Sequence, residues 1–166
     1  LGEGGALPRA YLSLGSNLEP ENHLRAALVE LRERFGEIIV SPTYRFPAIG
    51  FDGPAFLNLA VGIDTDLDAV PLNDWLHALE DRHGRRRDVP RYSDRTLDID
   101  IVLYGDEVLR GPGNLDVPRA ELKHAFVLKP LAEIAPAAAH PLLHKSLGQL
   151  WREHPQHNTP FEHVQL

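Results

Sequence analysis

Apolar and polar positions along this chain fall into short stretches whose periods separate strand from helix. Ala10–Leu14, AYLSL, alternates as a strand does and ends at Gly15-Ser16-Asn17. Leu24, Ala27, Leu28, Leu31 and Phe35 recur at helical spacing, which predicts a helix from Pro20 through Arg34, with Asn17 as a possible cap and Gly36 as its stop. Ile38-Ile39-Val40 opens a second strand that runs to about Tyr44. Arg45–Pro54 carries Pro47, Gly50, Gly53 and Pro54 and predicts a loop of the size that binding loops have. Phe56–Ile63 reads as a third strand in which Asn58 is the one polar side chain. A second amphipathic helix, about Val70–His83, follows Asp66 and Asp68, places Leu72, Trp75, Leu76 and Leu79 on one face, and ends at Gly84. The run Thr96–Tyr104, TLDIDIVLY, is a fourth strand bounded by Gly105. Beyond it lie a segment Glu107–Leu109, a turn at Gly111-Pro112-Gly113, a segment Leu115–Pro118, helix or turn at Ala132–Ala139, and a short helix at Leu147–Trp151.

The resulting order, βαββαβ, predicts an α+β sandwich of the ferredoxin-like kind, an antiparallel sheet with helices on one face, plus a C-terminal extension. At 166 residues the chain fits one domain. Residues 1–9 read as a flexible leader, 10–152 as the domain and 153–166 as a polar, mobile tail.

Composition narrows the function. Without cysteine there is no thiol chemistry and no thiolate metal site, and no apolar run reaches the length of a membrane span, so a cytoplasmic protein is expected. A net charge of −7 disfavours a nucleic-acid coat. The nine histidines are scattered without ligand spacing. Against this acidic background, Arg82, Arg85, Arg86, Arg87, Arg91 and Arg95 crowd into one loop that feeds straight into the fourth strand. On that strand Asp98 and Asp100 share a face, ~7 Å apart along the backbone, with Ile99 and Ile101 opposite. Paired carboxylates repel unless a cation lies between them. A hard ion such as Mg²⁺ suits them, and guanidinium forks suit phosphate oxygens, so the juxtaposition points to a polyphosphate substrate. Glu80, near the end of its helix, sits where a negative charge meets the unfavourable end of the helix dipole and needs a donor or cation to hold it. Asn58, if buried, needs partners, as a tie to nearby backbone or as a reader of a ligand.

With these motifs in place the chain resembles the 6-hydroxymethyl-7,8-dihydropterin pyrophosphokinase family of folate biosynthesis. The resemblance rests on YLSLGSNL (Tyr11–Leu18), YRFPAIG (Tyr44–Gly50), FLNLAV (Phe56–Val61), RYSDRTLDIDIVLYG (Arg91–Gly105) and VLKPLAEIAP (Val127–Pro136), in that order over most of the chain. It implies transfer of the β,γ-pyrophosphoryl group of ATP to the hydroxymethyl oxygen of the pterin, with release of AMP. By the same resemblance Asp98 and Asp100 hold two Mg²⁺ ions, and Arg85 and Arg95 are catalytic. His77, Glu80, Arg87, Arg91, Arg95, Ile101 and Arg119 contact ATP. Phe46, Ile49, Phe56, Asn58, Tyr92 and Phe126 form the pterin site, with Phe56 and Phe126 as the two faces that sandwich the ring. The expected partners are these two small molecules, with no nucleic acid or membrane, in a monomer or weak homodimer.

The chain departs from the family at several points. Ser93-Asp94 replaces a small pair, which sets a carboxylate beside Arg95, and Arg119 replaces a usual histidine. The segment Leu122–Ala125 is one residue short, and Phe46 replaces a small hydroxyl residue. Two alternative readings account for parts of the pattern. A different Mg²⁺-dependent phosphotransfer or nucleotidyltransferase enzyme would share the acidic pair and arginines but not the pterin pocket, and a ferredoxin-like RNA-binding or regulatory module would share only the fold.

Overall fold

The computed structural model describes residues 9–84 and 94–166. Arg85, Arg86, Arg87, Arg91 and Tyr92 lie outside the described residues. The chain runs β1 (Arg9–Ser16), α1 (Pro20–Phe35), β2 (Ile39–Val40), β3 (Thr43–Phe46), β4 (Phe56–Asp64), α2 (Ala69–Arg82) and β5 (Asp98–Tyr104). A hairpin of β6 (Leu109–Gly111) and β7 (Leu115–Val117) follows, then a 3-10 turn at Ala120–Lys123, α3 (Ala125–Ile134), α4 (Leu147–Arg152) and β8 (Glu162–Val164). The main sheet has the order β5-β1-β4-β3-β8, with β2 also on β4, and its pairings are antiparallel.

Alternation along the strands sorts the core into two layers. Leu12 and Leu14 of β1, Leu57, Leu59, Val61 and Ile63 of β4, and Ile99 and Ile101 of β5 meet Leu24, Leu28 and Leu31 of α1 and Leu72, Leu76 and Leu79 of α2. On the other face Ala60 of β4 and Val102 of β5 meet Val127, Leu128 and Leu131 of α3 and Leu147 of α4. Helices therefore cover both faces, which corrects the one-sided layering read from the strand pattern. The source of the error is the stretch around Phe126-Val127-Leu128: its apolar run and Pro130 hid a helix whose tenth residue is Ile134. Because α3 covers the Val102 end of β5 and leaves the Asp98 end open, one strand face is half core and half cleft.

Three other expectations change. The second strand is broken into β2 and β3, because Pro42 has no N–H to give a ladder. At the break Ser41 N donates to Ala60 O at 2.9 Å, and Ala60 N donates to Ser41 Oγ at 2.8 Å, so a hydroxyl stands in for a backbone acceptor. Asn17 does not cap α1. The cap position is Glu19, in the left-handed region with no side-chain bond, and Asn17 is used elsewhere. Finally, the stretch read as a mobile tail contributes β8, which pairs with β3 through Thr43↔Val164, Tyr44↔His163 and Arg45↔Glu162. Val164 and Leu166 pack on the α1/α2 layer.

Replacing Ser41 by Ala leaves the buried N–H of Ala60 without its acceptor. Chemical denaturation should show a loss of about 1–3 kcal/mol with an unchanged m value. A loss below about 0.3 kcal/mol would contradict the acceptor role.

Candidate active site

The strand register brings the predicted residues into one row. Gly15 of β1 stands opposite Asp98 of β5 on one side and opposite Asn58 of β4 on the other, and Asn58 stands opposite Tyr44 of β3. Directly opposed residues share a face, so Asp98, Gly15 and Asn58 lie on the α3 side, and Asp100 follows two residues on, opposite Ser13. With strands spaced ~4.8 Å, the backbones of Asp98 and Asn58 are ~10 Å apart. Gly15 keeps the floor between them clear. A Cβ there would come 2.6 Å from Asn58 Nδ2, a contact that forces the amide to move.

Asn58 is buried. Its Nδ2 donates to Leu14 O at 3.4 Å, while its Oδ1 has no hydrogen-bond partner among the described residues. An unmet buried acceptor on an open floor is a demand for a donor, and a heteroaromatic edge with N–H groups supplies one. Phe56 shares the face of Asn58 and touches Phe51 edge-on at 6.2 Å. Phe126 projects from α3 over the same side, stacked on His124 at 5.1 Å and 6.5 Å from the ring of Phe46. Phe46 itself is buried, and Ile49 is exposed in the loop after β3.

The carboxylates are held from three directions. Because β5 ends the sheet, the N–H of Ile99 on its outer side needs an acceptor from elsewhere, and buried Glu80 gives one at 2.7 Å. This is the donor that the acid at the end of α2 calls for, and it places Glu80 between the two aspartates. Arg119 is buried against the far side. It donates through Nε to Ile101 O and through Nη2 to Asn114 O, each at 3.0 Å, while Nη1 lies 3.9 Å from Asp100 and 3.6 Å from Glu121. Asp100 keeps a third of its side-chain surface exposed. Its carboxyl is nevertheless pushed up to about 8, by burial first and by Asp98 next, with Glu80 and Glu121 adding to the shift and Arg119 opposing it. So much negative charge around one carboxyl is the environment a cation relieves.

Asn17 ties the site's entrance together. Its Nδ2 donates to Pro54 O at 3.0 Å and to Asp94 Oδ1 at 2.8 Å; its Oδ1 accepts from Arg95 N at 2.8 Å, and its own N donates to Arg95 O at 3.0 Å. One amide thereby fixes the loop before β4 and the approach to β5. Asp94 turns its carboxylate to Asn17, and Arg95, which is buried, meets Asp94 through the backbone carbonyl, Nη1 to O at 3.2 Å.

The structure thus gathers Asp98, Asp100, Asn58, Phe56, Phe126 and Phe46 on one side of the sheet, with Arg95 and Glu80 at its margins. The side chain of Ile101 is wholly buried in the α1/α2 layer, and its carbonyl accepts from Arg119 Nε. His77 faces the β6–β7 turn, where a Cβ on Gly113 would lie 3.5 Å from its ring. Arg119 is anchored by two backbone carbonyls and an acidic pair, a different placement from that of a mobile phosphate clamp. Gly15, Asn17 and Glu121 escaped the sequence reading. Gly15-Ser16-Asn17 was legible only as punctuation, since what it touches depends on long-range register.

The model of the 7,8-dihydro-6-hydroxymethylpterin-pyrophosphokinase (HPPK) family matches residues 11–136. The chain belongs to this family. A 2-amino-4-hydroxy-6-hydroxymethyldihydropteridine pyrophosphokinase of Pseudomonas aeruginosa is 42% identical over 141 residues, 78% of this chain and 82% of the relative. One of Haemophilus influenzae is 37% identical over 131 residues, 76% and 81% of the two chains. In fold the chain is similar to a crystal structure of the Plasmodium falciparum HPPK-DHPS, with a TM-score of 0.70 and 14% identity over 89% of this chain, which spans 41% of that longer one. The family is one of pyrophosphokinases, transferases of folate biosynthesis, and neither alternative reading is favoured over it.

The shift at Asp100 has a definite sign. An acid raised from 3.8 to about 8 in the folded state binds more protons folded than unfolded between those values, so ligand-free stability falls as pH rises through that window. Asp100→Asn removes the titration. Its stability relative to wild type should rise from pH 5 to pH 9 by about 1–2 kcal/mol, the partly exposed carboxylate being screened by solvent. Urea melts at the two pH values measure it, and parallel profiles for the two proteins would contradict the assignment.

Proposed function

We propose that the open half of the α3-side sheet face is where this chain joins ATP to the hydroxymethyldihydropterin, with the two substrates meeting above Gly15. The observation that carries this is the row Asp98–Gly15–Asn58: an acid pair in need of a cation and a buried amide acceptor in need of a donor, separated by a residue with no side chain. Asn58 reads the polar edge of the pterin, and Phe56 and Phe126 give its flat faces apolar walls, with ring stacking contributing about 1 kcal/mol. Ile49 and the backbone at Phe46 close the pocket's rim.

Asp98 and Asp100 are the residues that would hold Mg²⁺, two ions in this reading. Their donor set fits: oxygen ligands only, a surplus of negative charge, and open positions for phosphate oxygens. Among the described residues no group of three or more His, Asp or Glu side chains is placed to hold a metal ion. When bound, Mg²⁺ screens the phosphate charge and orients the oxygens of the in-line displacement. Arg95 supplies fixed positive charge beside this place, and in this reading Arg85, Arg87, Arg91 and Tyr92, outside the described residues, would supply the remaining phosphate and pterin contacts. On the nucleotide side stand His77 and Glu80, with Arg119 as the fixed countercharge behind Asp100. The finer arrangement is the ferredoxin-like one, supported by the antiparallel order β5-β1-β4-β3 with α1 and α2 on one layer. The catalytic domain takes in residues 10–152 and, through β8, the stretch that follows, in a cytoplasmic protein that is a monomer or weak homodimer.

An assay for AMP released from ATP, with 6-hydroxymethyl-7,8-dihydropterin as acceptor, tests the reading. Asp98→Asn should lower turnover by at least about 10²-fold, since loss of an outer-shell group alone costs up to that. Asn58→Ala should weaken pterin binding about 10–100-fold with the affinity for an ATP analogue unchanged. Near-normal turnover in the first variant, or equal losses for both ligands in the second, would overturn the assignments.

A further inference from the structure

Resting on the pterin site just described, we propose that the C-terminal strand β8 is part of that site, with Phe161 as the positioning residue that seats Phe46 against Phe126. Residues 137–166 lie beyond the stretch matched by the family model. Its placement is nevertheless specific. Without β8, β3 would be an unpaired edge, and β3 is the strand whose Tyr44 and Phe46 stand opposite Asn58 and Phe56. Period-two alternation from Phe161 sets its ring and that of His163 on the pocket side, while Val164 turns to the α1/α2 layer.

On the pocket side the rings form a continuous chain. Phe161 lies 4.7 Å from Phe46, Phe46 lies 6.5 Å from Phe126, and Phe126 stacks on His124 at 5.1 Å. His163 is 5.7 Å from Tyr44, whose hydroxyl donates to Glu133 of α3 at 2.9 Å. Phe46 is 3% exposed. A ring that large at this position, at the end of an edge strand, needs a surface to bury against, and Phe161 provides it. The bulky residue at 46 and strand β8 thus pack as one unit, in which Phe161 fixes the wall that the pterin ring rests on. The nucleotide side lies across Gly15, two strands away, and shares none of these contacts.

The test is pterin binding by calorimetry, with an ATP analogue and Mg²⁺ present, to wild type, Phe161→Ala and Phe161→Leu, alongside the analogue's own affinity and amide exchange over residues 43–46. Phe161→Ala should weaken pterin binding about 3–10-fold, the loss of one ring contact, and speed exchange in β3, with nucleotide affinity unchanged. Phe161→Leu should recover most of the binding, and it carries the test if the alanine variant does not fold. Unchanged pterin affinity in a folded variant, or equal losses for pterin and nucleotide, would overturn the proposal. A wild-type chain that takes the nucleotide but no pterin would sink the pterin reading itself, and this inference with it.

Discussion

A residue with no side chain sits between the acid of one strand and the amide of another, and the antiparallel register of three strands holds it there. Asp98, Gly15 and Asn58 are brought side by side by nothing local: Gly15 belongs to the first strand, Asn58 to the fourth and Asp98 to the fifth. A one-residue slip in either pairing would send the acid or the amide to the α1/α2 face. The apolar residues that alternate with them, Leu14, Leu57, Leu59 and Ile99, are all wholly buried, so the core that fixes the register also fixes the distance between the acids of β5 and the amide of β4. Function here is a by-product of a tightly specified hydrophobic alternation.

Around that row the polar groups are arranged so that buried charge is shared. Glu80 satisfies the outer edge of β5, Arg119 stands behind Asp100 and is itself tied to two carbonyls, and Asn17 binds the two entrance segments. Two imbalances remain in the row itself, at Asp100 and on the oxygen of Asn58. Both are costs to the ligand-free fold, of opposite kinds: one asks for a cation, the other for a hydrogen-bond donor. Folded proteins keep such costs at places where a ligand removes them.

Much of this was legible in the sequence because it is periodic. The alternation in β1, β4 and β5 and the helical spacing in α1 and α2 named the elements, and Asn58, Asp98 and Asp100 stood out as polar intrusions in apolar strands. What was hidden depends on partners far along the chain. Asn17 resembled a helix cap because a cap and a loop clamp use the same side chain, and only the position of Arg95 decides between them. Helix α3 was obscured by its internal proline and continuous apolar run, which fit strand, helix or turn equally, and β8 by polar neighbours that gave no sign of a free strand edge to pair with.

The central claim is that the two acids of β5 and the amide of β4 face one shared reaction space. Crystals grown with Mg²⁺, a non-hydrolysable ATP analogue and the hydroxymethyldihydropterin test it most directly. The account predicts Mg²⁺ at about 2.0–2.1 Å from carboxylate oxygens of Asp98 and Asp100, and the pterin edge bonded to the amide of Asn58. Ions bound elsewhere, or a pterin seated away from Asn58, would contradict it.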